Sequence, residues 1–170
     1  MRKLLIVIFT CLLFVSCATT KKATNSIENS RYFHAPGLKT SQIEIIENQE
    51  LRDLFDEFNE LYFEGRLIVD YIGYVDGCLL RGKGKTYNYV GYAFWEWHAD
   101  ACRYGIAMAK KTDSNGISIS ENYFNGVLLH EMTHLYFYQK GMYHENHGKN
   151  FREMIDKLHE MNPEYEKIYD

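Results

Sequence analysis

The pattern His130-Glu131-Met132-Thr133-His134 constrains this chain more than any other, because it requires one particular local structure. On an α-helix, residues i and i+4 lie on the same face, so both imidazoles can bind one metal ion. The glutamate between them then lies beside the ion, where it can act as a general base toward water. The pattern therefore predicts a helix that carries two zinc ligands and a catalytic base.

Three segments of the sequence, one of which contains this pattern, have the periodicity of α-helices. Apolar residues recur at steps of three and four in three segments, which predicts α-helices over residues 44–63, 122–139 and 149–161. Gly65 and Gly141 follow the first two helices at positions typical of helix ends. The zinc pattern falls inside the second predicted helix, as its chemistry requires.

The segment between the first two helices has the composition of a sheet. It is rich in β-branched, aromatic and glycine residues, with short runs at 67–72, 87–97, 103–108 and 117–120. These runs predict a small antiparallel sheet of three to four strands. The order helix, sheet, helix, helix indicates an α+β fold. With 46% hydrophobic and 25% charged residues, the chain is neither disordered nor a multispan membrane protein.

The first residues indicate export. A basic start precedes the run Leu4 to Val15, which is apolar apart from Thr10 and is too short to cross a membrane comfortably. The run ends in Ser16-Cys17 and resembles a bacterial lipoprotein leader, which implies a lipid on Cys17. We expect a signal peptide at 1–16, a flexible tether at 17–40 and a domain at 41–170. The expected location is the bacterial envelope, at the outer membrane and facing the periplasm or the surface.

Charge and cysteine content limit the partners. The formal net charge of −4 becomes −6 in the mature chain, because Arg2 and Lys3 leave with the leader. An acidic domain does not favour nucleic acid, so none is expected as a partner, and we expect a monomer. Cys78 and Cys102 remain in an oxidising compartment, where they either form a disulfide or stay as two thiols.

A catalytic zinc ion needs a third protein ligand and one open position. A histidine six residues after His134 would indicate a metzincin, but Lys140 occupies that position. Glu153 has the spacing of a thermolysin-type ligand, and His147 directly precedes the last helix. The spacing alone leaves both open, together with the remaining downstream candidates His144, Glu145 and His159.

Four motifs in order resemble the SprT-like zinc metallopeptidases. They are the aromatic helix 55–67, the strand 117–120, the metal helix 128–134 and the His-Gly-x-x-Phe segment 147–151, and the resemblance covers about residues 45–160. It implies a zincin-like fold and one catalytic zinc ion bound by His130, His134 and His147. By the same resemblance Glu131 is the general base, and Glu153 lies either on the surface or behind a zinc ligand that it supports.

These features lead to the hypothesis of an envelope-anchored zinc endopeptidase that cleaves a peptide or protein substrate. A substrate strand could add to a sheet edge near the site, supplied by 103–108 or 117–120. Tyr136, Tyr143 and His144 are candidates for stabilising the oxyanion. Trp95 and Trp97 are expected to pack rather than to bind sugars. The alternatives are a binding or scaffold lipoprotein with a structural or vestigial zinc site, and a hydrolase of peptidoglycan peptides.

Overall fold

The computed structural model describes residues 30–33, 43–75, 80–81, 88–98, 101–109 and 119–169. The strands are β1 (Ser30–Phe33), β2 (Ile43–Glu47), β3 (Tyr71–Val75), β4 (Leu80–Arg81), β5 (Asn88–Tyr89), β6 (Gly91–His98) and β7 (Ala101–Ala109). The helices are α1 (Gln49–Phe63), α2 (Glu121–Gln139) and α3 (Lys149–Met161). No helix in these ranges is long and apolar enough to span a membrane.

The main sheet has five strands in the order β1-β2-β3-β7-β6, and β4 pairs with β5 separately. The predicted α+β class with a small sheet and three helices is confirmed. The sheet has one strand more than the upper expected number, and β3 and β7 are parallel, while the other pairs are antiparallel. A parallel pair is sterically accessible here because the chain between β3 and β7 is long enough for a crossover.

The first helix begins later than predicted. Residues 43–47 form β2, which pairs with β1 and β3, and α1 begins only after Asn48. The Asn48 side chain accepts a hydrogen bond from the Leu51 N–H at 2.9 Å, which satisfies one of the free donors of the first turn. Within the predicted tether, Ser30–Phe33 is the strand β1. The leader and Cys17 lie outside the described residues.

Two predicted strands are also placed differently. The run predicted over 67–72 is a connection followed by β3, and the buried Asn59 side chain bonds both the N–H and the C=O of Leu67 at 3.0 Å. These bonds satisfy the main chain of Leu67, and the Gln139 side chain does the same for Ile68, so this part of the connection needs no partner strand. Of the predicted strand 117–120, the first two residues lie outside the described residues. Ile119 is not in a strand, and Ser120 caps α2 through a bond from the Tyr123 N–H.

The two helices that matter for the site are where the periodicity predicts them. The helix α2 begins one residue before the predicted start, and α3 has the predicted bounds. The helices pack on one face of the sheet around the larger of two core clusters in the described residues, to which α2 contributes Leu128, Met132 and Leu135. Because α2 is buried along most of its length, most of its polar side chains after the first turn are buried in the protein, including His130, Glu131 and His134. His130, Glu131 and His134 therefore project from a rigid helix.

Candidate metal centre

Three histidines meet at one point beside α2. His130 and His134 lie one turn apart on the same face of the helix, and their Nε2 atoms are 3.1 Å apart. The loop before α3 brings the Nε2 atom of His147 to 3.1 Å from that of His134 and to 3.2 Å from that of His130. The structure thus brings the three predicted ligands together as the one candidate metal cluster among the described residues.

This triangle of nitrogen atoms fits a metal ion. Three nitrogens bound to one tetrahedral zinc at about 2.0–2.1 Å would be about 3.3 Å apart, close to the observed separations. Burial lowers the pKa of His134 to about 2, and the charges of His130 and His147 act in the same direction. The imidazole of His134 is therefore neutral at physiological pH, which is the form that binds a metal. The donor set can hold a metal ion.

The position of His147 is fixed by the start of α3. Glu145 accepts hydrogen bonds from the Asn150 N–H at 2.8 Å and from the Phe151 N–H at 3.3 Å, and so caps the helix. A Cβ atom on Gly148 would lie 2.6 Å from the carboxylate of Glu145, so glycine is needed for this close approach. The short loop from Glu145 to Gly148 therefore holds His147 against a helix end.

Phe151 forms the floor of the site. Its fully buried ring has its centroid 4.9 Å from that of His130, 4.5 Å from that of His134 and 5.1 Å from that of His147. One aromatic ring thus restricts the orientation of all three imidazoles. The contacts give a physical reason for the His-Gly-x-x-Phe motif, in which glycine allows the cap and phenylalanine supports the ligands.

Glu131 lies in the same cleft and points toward the sheet. Its Oε2 atom accepts a hydrogen bond from the Ala93 N–H in β6 at 2.7 Å, and the residue is only 6% exposed. Burial raises the pKa of the Glu131 carboxyl to about 8, and the bond from Ala93 lowers it. A cation in the neighbouring site would favour the carboxylate form. The carboxyl is therefore held at a defined position and can exchange a proton.

Small residues in β6 make room for this carboxyl. A Cβ atom on Gly91 would lie 2.7 Å from Glu131 Cγ and 2.7 Å from Val127 Cγ1. Glycine at this position allows α2 to approach the strand closely enough for Glu131 to reach Ala93. Sequence reasoning did not single out Gly91 or Ala93, because their role depends on contact with a helix distant in sequence.

An open cleft of about 320 Å³ leads to the three histidines. Val90 and residues 91–93 at the start of β6 line it, and so do Tyr123 and Tyr138 of α2. The ring of Tyr138 stacks on that of His134 with centroids 5.9 Å apart. Burial, followed by the charge of Glu131, raises the pKa of Tyr138, so its hydroxyl stays protonated and can donate a hydrogen bond. The lining residues do not include the predicted oxyanion candidates Tyr136, Tyr143 and His144.

The edge strand near the cleft differs from the predicted ones. The run 103–108 lies in β7, which pairs with β3 on one side and β6 on the other. An interior strand has no open hydrogen-bonding edge, so that part of the prediction is wrong. Among the described strands, β6 is the end of the sheet nearest the cleft.

The remaining residues considered from the sequence lie away from the metal cluster. Glu153 is exposed and forms an ion pair with Lys149 at 3.7 Å, and His159 bonds the Tyr165 carbonyl at 3.1 Å. His144 is exposed in the loop before α3. Trp95 packs against Tyr143 with ring centroids 4.6 Å apart, whereas Trp97 is 64% exposed. Cys102 is half-buried in β7 and Cys78 lies outside the described residues, so their pairing stays a prediction.

The chain matches the model of one known protein family. The SprT-like family model matches residues 51–168, a range that includes most of α1, all of α2 and α3, and the three histidines. No curated protein and no solved structure matches the chain.

Proposed function

The chain belongs to the SprT-like family, and on this premise we propose that it is a zinc-dependent endopeptidase. In this proposal His130, His134 and His147 hold one catalytic zinc ion, and Glu131 is the general base. The observation that carries the proposal is a cluster of three histidines that opens onto a cleft containing a buried carboxyl. Structural zinc sites are closed by four protein ligands, whereas catalytic sites have three and leave one position for water or substrate.

The chain's own residues would divide the work of peptide hydrolysis. Zinc, when bound, supplies a Lewis acid that polarises the substrate carbonyl and makes water more acidic. Glu131 would take the proton from the attacking water and deliver it to the leaving amine. The Ala93 N–H keeps one carboxyl oxygen of Glu131 oriented, which leaves the other for this transfer. The Tyr138 hydroxyl is the best candidate to donate a hydrogen bond to the oxyanion.

The substrate would bind as an extended chain. β6 lies at the end of the sheet and contributes residues 91–93 to the cleft, so a peptide could pair with it by strand addition. Main-chain pairing gives little side-chain selectivity, which favours unfolded proteins or flexible segments as substrates. This part of the proposal rests on the position of the strand beside the three histidines.

We further propose that the enzyme acts in the bacterial envelope. The leader at 1–16 and the lipid on Cys17 would attach a monomeric domain to the outer membrane through the tether. The acidic mature chain, with a net charge of −6 after loss of Arg2 and Lys3, does not favour nucleic acid as a partner. Mass spectrometry of the amino-terminal peptide from the native membrane fraction would test the lipid on Cys17.

The substrate class can be tested with two substrates and one chelation cycle. The purified mature protein is stripped of metal, returned to zinc and incubated with unfolded casein or with muropeptides, and new amino termini are identified by mass spectrometry. The proposal predicts cleavage of casein that depends on zinc. Cleavage of muropeptides alone would indicate a peptidoglycan peptide hydrolase. Tight zinc binding without any cleavage would favour a binding or scaffold lipoprotein.

Replacing Gly91 tests the position of the base. In Gly91→Ala the added Cβ would push Glu131 away from Ala93, and a displacement of about 1 Å can lower kcat about 100-fold. Zinc stoichiometry is expected to stay the same, because the three histidines are not touched. Wild type is the control, and thermal unfolding of both proteins separates a displaced Glu131 from a loss of fold. A kcat for Gly91→Ala equal to that of the control would contradict the proposed role of this contact.

A further inference from the structure

The last described residues form a segment that runs from α3 back along α2. This C-terminal segment, residues 162–169, reaches the cleft, where Ile168 is one of the lining residues. The main-chain carbonyl of Ile168 lies 3.0 Å from the Nδ1 atom of His130. We infer that the C-terminal segment is a positioning element of the metal centre, in which this carbonyl holds His130 in the tautomer that binds the ion through Nε2.

The chemistry of imidazole explains how one hydrogen bond can do this. A neutral imidazole has one N–H and one lone pair, on different nitrogens. A carbonyl can only accept, so the proton of His130 must be on Nδ1. The lone pair is then on Nε2, the atom that faces His134 at 3.1 Å and His147 at 3.2 Å. The same bond also fixes the rotation of the ring.

The segment is anchored before Ile168. The Glu166 N–H donates to the Asn122 carbonyl at 3.3 Å, at the start of α2. A Cβ atom on Gly126 would lie 2.2 Å from the Glu166 carbonyl oxygen, so only glycine in α2 allows the segment to come this close. Tyr165 is held from α3, where His159 donates to its carbonyl at 3.1 Å.

The C-terminal segment is anchored again on both sides of Ile168, by one side chain of α3. Asp156 forms an ion pair with Lys167 at 3.0 Å and accepts a hydrogen bond from the Tyr169 hydroxyl. Contacts on both sides of one residue restrict the direction of its carbonyl more than a single contact would. The inference rests on the proposed metal site, but it does not depend on the peptidase reaction.

Two truncated variants, which differ in length by one residue, test the inference. A chain ending at Ile168 keeps an acceptor oxygen beside His130, whereas a chain ending at Lys167 has none, and both lack Tyr169. Loss of the partner of a ligating histidine weakens metal binding by about 10–100-fold. We expect the dissociation constant for zinc, measured by chelator competition, to rise by about this factor in the Lys167-ending chain relative to the Ile168-ending chain. Glu164→Ala in the full chain, at an exposed residue of the same segment that does not line the cleft, is the control and is expected to bind zinc as wild type does.

The tautomer of His130 gives a second measurement that does not need zinc. In nitrogen-15 NMR spectra of the metal-free protein, we expect the Nδ1–H tautomer in the full chain and a mixture of tautomers in the Lys167-ending chain. Equal zinc affinities in the pair, or the same tautomer in both, would overturn the inference. If the full chain binds no zinc, the proposed function fails, while the tautomer still decides the role of the segment.

A substitution on the surface covers the case in which the Lys167-ending chain does not fold. Asp156→Ala removes the acceptor of both Lys167 and Tyr169 without altering the core. We expect zinc binding weaker than in wild type, by less than the factor of about 10–100 caused by losing the partner itself, and a mixed tautomer of His130. Wild-type affinity together with the Nδ1–H tautomer alone would overturn the inference.

Discussion

Glu131→Gln is expected to lower kcat for peptide hydrolysis by at least about 10²–10⁴-fold, the usual contribution of general acid–base catalysis. Glutamine has nearly the same shape as glutamate, and its amide oxygen can still accept the hydrogen bond from the Ala93 N–H. It cannot take a proton from water at neutral pH. The fold and the zinc content are therefore expected to stay as in wild type, while the reaction is lost.

The measurement is kcat on a peptide derived from a casein cleavage site, with zinc measured in the same samples. Glu153→Gln is the matched control, because it makes the same chemical change on an exposed residue of α3. It is expected to leave kcat and zinc content unchanged. A kcat for Glu131→Gln within about tenfold of wild type would exclude Glu131 as the general base, because that role is worth more.

His147→Ala is expected to weaken zinc binding by about 10²–10³-fold. Zinc sites of several ligands are worth about 10–16 kcal/mol in total, so each ligand accounts for about 3–4 kcal/mol. His147 supplies one of three nitrogens, and its removal leaves the ion with His130 and His134 only. Peptidase activity should fall with the zinc content and should not return at equimolar zinc.

The alternative third ligand provides the control for this variant. Glu153 is exposed and paired with Lys149, so Glu153→Ala is expected to bind zinc as wild type does. Chelator competition on both variants decides between the two residues. Unchanged affinity in His147→Ala together with weaker binding in Glu153→Ala would assign the third ligand to Glu153 and would contradict the metal centre described above.

The features that could be predicted from the sequence are those fixed by local spacing. The bounds of α2 and α3 follow from apolar residues at helical steps and from nearby caps such as Gly141. The shared face of His130 and His134 follows from helix geometry alone. Placing His147 needed the resemblance to a family, because spacing did not separate it from Glu153.

The features that could not be predicted depend on contacts between distant segments. Residues 43–47 have acidic residues at helical steps, but pairing with β3 makes them a strand. The strand β7 is interior because it pairs with β3 in parallel on the side opposite β6. No local sequence pattern predicts this pairing. Gly91 affects the site because it lets α2 approach β6 closely. Ile168 affects it through its main-chain carbonyl, which side-chain patterns do not reveal. Small residues at 91 and 93 in an aromatic strand were the one available signal of a close approach.

If one zinc ion held by three histidines makes this chain a peptidase, as proposed, activity must follow zinc occupancy. This dependence is tested most directly by titrating zinc into the metal-free protein while following the cleavage of unfolded casein. The rate is expected to rise in proportion to added zinc and to reach its plateau at one equivalent per chain. One equivalent of tightly bound zinc without cleavage, or cleavage that persists in the metal-free protein, would contradict the proposal.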